Sequence, residues 1–274
     1  MSSSSEDPSY VWKTPEVADT FTDIRDSVPL NQEQLDLMTR IIRTFLQKSE
    51  KGSTCSQDNQ QERKKENSFS WLDLGCGDGP LSRKLLEEFP NANGVLMDFS
   101  LPMLEHARTK MAQLEYQSRV TILQGDLSRS DWMEALKKKD SSNEEKEPVI
   151  DVVVSSFAIH HLSNERKREL YQEIFNILSP GGVFLNLEHV ASPDETVEGI
   201  FDGAFVDSMY KTFGGAKTLQ ECEKAVHYDL NVDDEANILV PVEIQCDWLR
   251  DIGFHHVDCY FKYLILALFG GVKK

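Results

Sequence analysis

Basic residues are scarce in this chain of 274 residues, where 29 Lys and Arg stand against 46 Asp and Glu and the formal net charge is −17. Nucleic-acid phosphates are bound by clusters of Lys and Arg, so this balance disfavours a nucleic-acid partner. Long apolar runs are missing too. The longest, YLILALFGG at 263–271, is far shorter than the roughly 20 residues that span a bilayer. We therefore expect neither a nucleic acid nor a membrane as a partner.

Cysteine is infrequent, and its spacing argues against two kinds of site. No CxxC pair is present and no cysteine stands in a metal-ligand pattern with a nearby pair of histidines, so no metal centre is predicted. An odd number of cysteines favours reduced thiols over a disulfide framework. The five are Cys55, Cys76, Cys222, Cys246 and Cys259. The first residues, MSSSSEDPS, lack the basic and apolar stretches of a secretory signal, so we expect a cytoplasmic protein.

Composition divides the chain into segments. Residues 1–9 are predicted to be a disordered tail, and residues 10–50 carry apolar side chains at helical spacing, which predicts an N-terminal helical cap. Residues 51–68 contain no aliphatic or aromatic side chain and are predicted to be a flexible linker. The main domain is predicted over 69–274. It includes an insertion at about 191–245 that is long enough to form a lid.

From residue 69 onward, short apolar runs alternate with longer segments of helical periodicity. This alternation predicts an α/β fold, a doubly wound, Rossmann-like parallel sheet with helices on its faces. The last two extended runs, HHVDCYFKY and LILALFGG, are predicted to pair as an antiparallel hairpin. Helices are predicted to begin at Pro80 and after the capping residues Ser100 and Ser163, and SPGG at 179–182 is predicted to separate the third helix from the next strand.

The stretch WLDLGCGDG at 71–79 places Gly75, Gly77 and Gly79 at alternate positions directly after the first predicted strand. Glycine lets the backbone turn and approach a ligand without a Cβ collision. In an open parallel sheet the ligand lies beyond the carboxyl ends of the strands, so a bound nucleoside would meet the backbone here. A dinucleotide fingerprint needs GxGxxG, but Pro80 stands at the third position and no Lys follows. A pyrophosphate-binding loop is therefore disfavoured.

Three successive predicted strands each bring a carboxylate to the same edge of the sheet. Asp73 lies just before the glycines, Asp98 ends the second strand and Asp126 follows the third. Asp98 is 23 residues beyond Gly75, close to the roughly twenty expected for an acid that binds ribose hydroxyls. Asp73 fits a ligand with positive charge. The combination of three acids with the glycine loop is much more specific than the loop alone.

These stretches resemble the motifs of the class I S-adenosylmethionine-dependent methyltransferases, with LDLGCGDG as the first, VLMDFSLPMLEHAR as the second and LQGDL as the third. The resemblance implies a sheet of seven strands, the last antiparallel, with S-adenosyl-L-methionine lying across Gly75 to Gly79. It implies that Asp98 holds the ribose, that Phe99 and Met103 flank the adenine, and that Asp126 with Leu127 faces the exocyclic amine.

The N-terminal segment resembles the cap of the small-molecule members of this superfamily. Arg25 would then pair with the methionine carboxylate of the cofactor or with an acidic substrate, although a lone Arg more often forms a surface or interdomain ion pair. The predicted cofactor site also includes Cys76, Ser100, Ser156 and Phe157.

Catalysis of methyl transfer depends mainly on positioning and on exclusion of water, and a base is needed only for a weakly acidic nucleophile. His160 and His161 follow the fourth predicted strand and are the candidate bases, because histidine titrates near neutrality. The alternative, a capping role for one and a packing role for the other, stays open. Asn186 and Glu188 share a strand face and are expected either to contact substrate or to be satisfied inside the protein.

The sequence thus predicts a methyltransferase that uses S-adenosyl-L-methionine and acts on a small molecule. Three alternatives remain: a catalytically silent module that binds the cofactor and a protein partner, an enzyme that transfers a carboxymethyl or aminopropyl group, and methylation of a basic protein tail. The methyl acceptor, the oligomeric state and the role of the charged stretch 137–147 are left open.

Overall fold

The computed structural model describes residues 14–15, 18, 22, 24–51, 68–139, 145–146, 148–234 and 237–274. The predicted tail at 1–9 and all but the two ends of the predicted linker lie outside these residues. Much of the charged stretch 137–147 is outside as well. Its described part holds two short strands, β4 (Lys138–Lys139) and β5 (Glu145–Lys146), which pair antiparallel.

The main sheet has seven strands in the order β3-β2-β1-β6-β7-β9-β8. They are β1 (Ser70–Leu74), β2 (Asn93–Asp98), β3 (Val120–Gln124), β6 (Ile150–Ser156), β7 (Leu178–His189), β8 (His255–Tyr263) and β9 (Leu266–Val272). The first five are parallel, and β9 runs antiparallel to both β7 and β8. The predicted sheet, with its antiparallel last strand and terminal hairpin, is confirmed.

Seven α-helices lie within the described residues. They are α1 (Asn31–Lys51), α2 (Pro80–Glu88), α3 (Leu101–Gln113), α4 (Asn164–Ile177), α5 (Glu195–Thr212), α6 (Leu219–Asp234) and α7 (Val242–Ile252). Three predicted starts are confirmed. Pro80 is the first residue of α2, the Ser100 hydroxyl accepts from Met103 N at 3.4 Å, and the Ser163 hydroxyl accepts from Arg166 N at 3.2 Å. These caps satisfy backbone donors that the first helical turn leaves unpaired.

Side chains that alternate along the strands build a separate core on each face of the sheet. On one face Trp71 packs with α1, α2 and α3, and on the other face Leu72 packs with α4 and α7. Since both faces are covered, the central strands are apolar at nearly every position, as β6 with Val152, Val153 and Val154 shows.

One boundary differs from its prediction. SPGG at 179–182 was expected to lie before the fifth strand, but α4 ends at Ile177 and β7 already begins at Leu178, with a register irregularity between Ile150 and Val152 of its partner. The strand therefore runs through the glycines. Leu178, the first of the added residues, pairs with Ile150 at the start of β6, so these residues lie at the end of the sheet opposite the strand ends where a ligand would lie and do not alter the site.

A third apolar cluster lies beyond the carboxyl ends of the strands. It joins Ile24 of the N-terminal segment, Phe205 of α5, Val226 of α6 and Leu266 at the start of β9, and Phe157 packs against it. Phe157 follows β6 directly, so this cluster meets the sheet at the edge where the strands end. The N-terminal segment and the helices of the insertion thus pack together over that edge.

Candidate functional site

A cavity of about 310 Å³ lies at the carboxyl ends of β1, β2, β3 and β6. All but one of the residues predicted to bind the cofactor line it. They are Arg25, Asp73, Gly75, Cys76, Gly77, Asp98, Phe99, Ser100, Met103, Asp126, Leu127, Ser156 and Phe157. Gly79 is not among the lining residues, and of the two candidate bases only His161 is. The residues selected by the sequence pattern thus line one cavity, because strand-end residues of a parallel sheet converge at one edge.

The three glycines of the loop all have left-handed backbone conformations, with φ of +66° at Gly75, +53° at Gly77 and +82° at Gly79. Such values are strained for any residue with a Cβ. A Cβ at Gly75 would also collide with Ala158, and one at Gly79 would lie 2.8 Å from Met111 Cε. At Gly77 the nearest atom to a Cβ, Met103 Sδ, is 4.0 Å away, so open space borders this residue. Gly75 and Gly79 serve close packing, whereas Gly77 leaves room for a ligand.

Asp98 joins the end of β2 to the glycine loop. Its carboxylate accepts from Gly77 N and from Ser100 N, each at 2.8 Å. The residue is 7% exposed, and burial raises the pKa of Asp98. Two backbone donors therefore hold this acid at the cavity wall, and no cation of the protein is paired with it among the described residues.

Asp73 is a buried carboxyl that is only half satisfied. Its Oδ2 accepts from the Ser82 hydroxyl at 2.6 Å, while its Oδ1 has no hydrogen-bond partner in the described structure. Burial, with a smaller contribution from the charge of Asp98, raises the pKa of Asp73 to about 7. A buried carboxylate oxygen without a donor costs free energy, and this one belongs to a cavity-lining residue. A bound donor or cation would satisfy it.

Asp78, in the glycine loop, forms ion pairs with the basic side chains of the site. It was not among the predicted site residues. Both Arg25 and Lys110 form ion pairs with its carboxylate, and Arg83 lies 3.9 Å from it. Arg25 also contacts Asp26 at 2.9 Å. Arg25 thus lies at the cavity, as expected, but its guanidinium forms ion pairs with carboxylates of the protein. The one available signal was an acid between two glycines.

The loop after β3 carries the residues expected to face an adenine. Asp126 Oδ1 accepts from the backbone N and the hydroxyl of Ser128, at 3.0 and 2.6 Å. Leu127 is buried, and its carbonyl accepts from Arg166 Nε at 2.8 Å. Arg166 itself lines the cavity and was not predicted, because it lies on α4, far along the chain from the motifs.

The two adjacent histidines have different surroundings. His160 is buried, and its Nδ1 lies 2.6 Å from Glu188 Oε2, while Glu188 Oε1 accepts from Ile159 N at 2.7 Å. Burial lowers the pKa of His160 to about 3 and raises that of Glu188 to about 7. One proton shared within this pair keeps it neutral overall. His161 borders the cavity and its ring centroid is 3.9 Å from that of His160.

Asn186 and Glu188 face the interior and do not line the cavity. The Asn186 amide donates to the Tyr171 hydroxyl at 3.4 Å, and that hydroxyl donates to Gln245 Oε1 at 2.7 Å. Of the two roles expected for these strand residues, the structure shows the internal polar contact.

Among the described residues, no group of three or more His, Cys, Asp or Glu is arranged to hold a metal ion. Cys76, Cys222, Cys246 and Cys259 are free thiols. No helix in the described part of the chain has both the length and the apolar character needed to cross a membrane.

Comparison with known proteins gives matches over the same region. A family model described as a methyltransferase domain matches residues 72–184. A carboxy-S-adenosyl-L-methionine synthase from Chromohalobacter salexigens is 25% identical over 202 residues, which are 71% of this chain and 65% of that protein. A demethylmenaquinone methyltransferase from Leptospira interrogans is 34% identical over 134 residues, 47% of this chain and 48% of that protein.

Solved structures confirm the fold. An O-methyltransferase family protein from Burkholderia thailandensis matches with a TM-score of 0.55 and 16% identity, over 94% of this chain and 63% of that one. The chain thus spans about half to two thirds of the length of these relatives. The matched domain contains the glycine loop, Asp98 and Asp126, and the seven-stranded sheet carries them to one cavity. Residues 72–184 thus match a methyltransferase domain, and the fold of the chain is that of the solved O-methyltransferase family protein.

Proposed function

We propose that this chain binds S-adenosyl-L-methionine in the cavity and transfers its methyl group to a small-molecule acceptor. The observation that carries the proposal is the unsatisfied Oδ1 of buried Asp73 beside a backbone cradle at Gly77. The methionine end of the cofactor bears an ammonium and a sulfonium, and either would compensate the Asp73 carboxylate. The residues present therefore fit this cofactor.

Each side of the cavity has a role in this proposal. Gly77 lets the ligand approach the backbone, and Asp98 offers its carboxylate to the ribose hydroxyls while keeping its own backbone donors. Phe99 and Met103 flank the base, with Asp126 and Leu127 at its edge. Arg25 would reach the methionine carboxylate with the N–H groups of Nη1 and Nη2 that its bonds to Asp26 and Asp78 leave unused.

When bound, the cofactor supplies an activated methyl group that a nucleophile takes by in-line displacement. The chain contributes orientation and exclusion of water, which in well-oriented reactions lower the activation barrier by about 7–11 kcal/mol. The third apolar cluster, with Phe205 and with Phe157 packed against it, would exclude water from the strand-end side of the cavity. His161 borders the cavity and is the group we assign to accept a proton from the acceptor when one must be removed.

The small-molecule acceptor is favoured over nucleic acid by the net charge of −17. The same negative charge would attract a basic protein tail, which is the competing acceptor. Incubation of a cell extract with the protein and methyl-labelled cofactor separates these acceptors. Label in a low-molecular-weight product other than the cofactor supports our proposal, and label retained on protein contradicts it.

Isothermal titration with S-adenosyl-L-methionine and with S-adenosylhomocysteine tests the cofactor itself. We expect both to bind at micromolar concentrations. Gly77→Val, which fills the open space beside the loop, should abolish binding, whereas Ser192→Ala, outside the cavity lining, should not. Absence of binding by the wild type would overturn the proposed function.

A second candidate is transfer of a different group to or from the cofactor. It is favoured by the relative from Chromohalobacter salexigens, whose name describes the synthesis of carboxy-S-adenosyl-L-methionine and which covers 71% of this chain. Mass spectrometry of the nucleoside products distinguishes the two. Loss of one methyl group from the cofactor supports methyl transfer. A gain of the mass of CO2, from a carboxyl group that replaces one methyl hydrogen, supports the second candidate.

A further inference from the structure

Arg166 lies in the first turn of α4 and is 8% exposed, although it also borders the cavity. A buried guanidinium at a ligand site has two possible uses, to bind an anion or to hold the protein itself. Its hydrogen bonds distinguish them. Nε donates to the Leu127 carbonyl at 2.8 Å, and Nη2 donates to the Arg129 carbonyl at 3.2 Å.

The remaining donors of Arg166 point along its own helix. Nη1 and Nη2 donate to the two oxygens of Glu173, at 2.9 and 2.6 Å, and Nη1 also donates to Glu169 at 3.2 Å. All five N–H groups of the guanidinium thus have acceptors. An anionic ligand would have to displace a protein acceptor, so Arg166 holds the protein.

Glu173 completes the arrangement. It lies seven residues after Arg166, two turns along α4 on the same face. Its Oε2 also accepts from Trp132 Nε1 at 2.6 Å. The loop that follows β3 is therefore tied to α4 at Leu127, Arg129 and Trp132, all through this one ion pair.

The tied loop is the one that would meet the base of a nucleoside. Asp126 and Leu127 line the cavity, and Asp126 Oδ1 is already engaged by Ser128. Among the described residues no donor reaches Asp126 Oδ2. The edge of the site thus offers acceptors whose directions depend on where the loop is held. Arg166, which itself borders the cavity, holds that loop through the carbonyls of Leu127 and Arg129.

We propose that Arg166, braced by Glu173, is a positioning residue that gives the nucleoside site its preference for a purine bearing an amino group. This inference rests on the proposed function. Acceptors that are fixed in direction accept from the amine of adenine, whereas the carbonyl of hypoxanthine in the same place would face them with another acceptor. If the loop were free to shift, the site would lose this discrimination, although Phe99 and Met103 would still pack against either base.

The test compares the dissociation constants of S-adenosylhomocysteine and S-inosylhomocysteine by isothermal titration. We expect the wild type to prefer the adenosyl compound. Arg166→Lys keeps the charge but not the planar fork, so it cannot bridge two carbonyls and Glu173 together. It should weaken adenosyl binding on the order of tenfold, as for loss of a hydrogen bond to a charged group, and should change inosyl binding much less.

Two further variants make the result decisive. Glu173→Gln replaces one acceptor by an amide donor facing Arg166 and Trp132, and we expect the same loss of preference. Arg168→Lys, on an exposed position of the same helix where Arg168 lies over Trp248, should keep the wild-type preference. Thermal unfolding and near-UV circular dichroism establish that each variant is folded.

The outcomes separate this inference from the proposed function. A folded Arg166→Lys that keeps the wild-type preference overturns the inference, and if that variant does not fold, Glu173→Gln decides by the same criterion. A wild type that binds both nucleosides equally also overturns it, while leaving cofactor binding intact. A wild type that binds neither overturns the proposed function.

Discussion

Asp73 should give the ligand-free protein a pH-dependent stability that Asp73→Asn removes. Burial raises the pKa of Asp73 to about 7, whereas an Asp in the unfolded chain titrates at about 3.9. Because the pKa is higher in the folded state, folding is favoured by the proton. The contribution is fully present below about pH 4 and is lost as the pH rises to about 7.

The size of this effect follows from the two pKa values. Their difference corresponds to about 4 kcal/mol in the free energy of unfolding. About two thirds of this contribution is lost between pH 5 and pH 8. This is a large part of the 5–15 kcal/mol that stabilises a typical domain. Asparagine is neutral over this whole pH range. Its amide oxygen can still accept from the Ser82 hydroxyl, which donates to Asp73 in the wild type. The variant should therefore be more stable than the wild type above about pH 7, by roughly this amount.

Urea unfolding without ligand, at several values between pH 5 and pH 8 and constant ionic strength, measures the difference between the two proteins. Glu188, whose pKa is raised, and His160 and His189, whose pKa values are lowered, also change stability with pH. They are common to both proteins and largely cancel. Parallel pH curves would refute the reasoning. Added S-adenosyl-L-methionine should flatten the wild-type curve, because a cationic ligand favours the ionised carboxyl.

Three further results are expected from the site. Gly75→Ala should destabilise the protein by about 2–5 kcal/mol, because of the left-handed φ and the collision with Ala158. Gly77→Ala should cost only about 1–2 kcal/mol of stability but should weaken cofactor binding. Calorimetric melting measures the loss of stability, and isothermal titration measures the loss of binding. His161→Ala should lower kcat by about 10²-fold or more with unchanged cofactor affinity if a proton is removed from the acceptor, and steady-state kinetics over pH would show it. Arg25→Gln should speed cofactor exchange in stopped-flow measurements by releasing the N-terminal segment from the glycine loop, and unchanged rates would contradict that role.

The sheet could be predicted from the sequence because its strands are short apolar runs between turn residues and helix caps. The run of valines in β6 and the terminal hairpin are examples. The start of β7 could not be predicted, since Gly181 and Gly182 carry no propensity for a strand and are held by backbone hydrogen bonds to Lys273, far along the chain. The sequence indicated correctly that the helix ends before the glycines, but not that the strand begins directly after it.

The cavity lining could be predicted to a similar extent. Residues at strand ends lie at positions that the motif spacing determines, which is why Asp73, Asp98 and Asp126 all reach the cavity. Partners from other elements could not be foreseen. Arg166 and Glu173 are typical of an exposed amphipathic helix in sequence, and only the packing of α4 against the loop after β3 turns them inward.

The distribution of charge around the glycine loop explains why a cationic ligand suits this cavity. Asp78 is paired with Arg25 and Lys110, so its charge is compensated by the protein. Asp73 and Asp98 have only neutral donors, the Ser82 hydroxyl and backbone N–H groups. A hydrogen bond from a neutral donor orients a carboxylate without cancelling its charge, so negative potential remains at the cavity. Had a cation of the protein also paired with Asp73, the pocket would have its present shape but a weaker electrostatic preference for a sulfonium over a neutral nucleoside, since Asp98 alone would supply it.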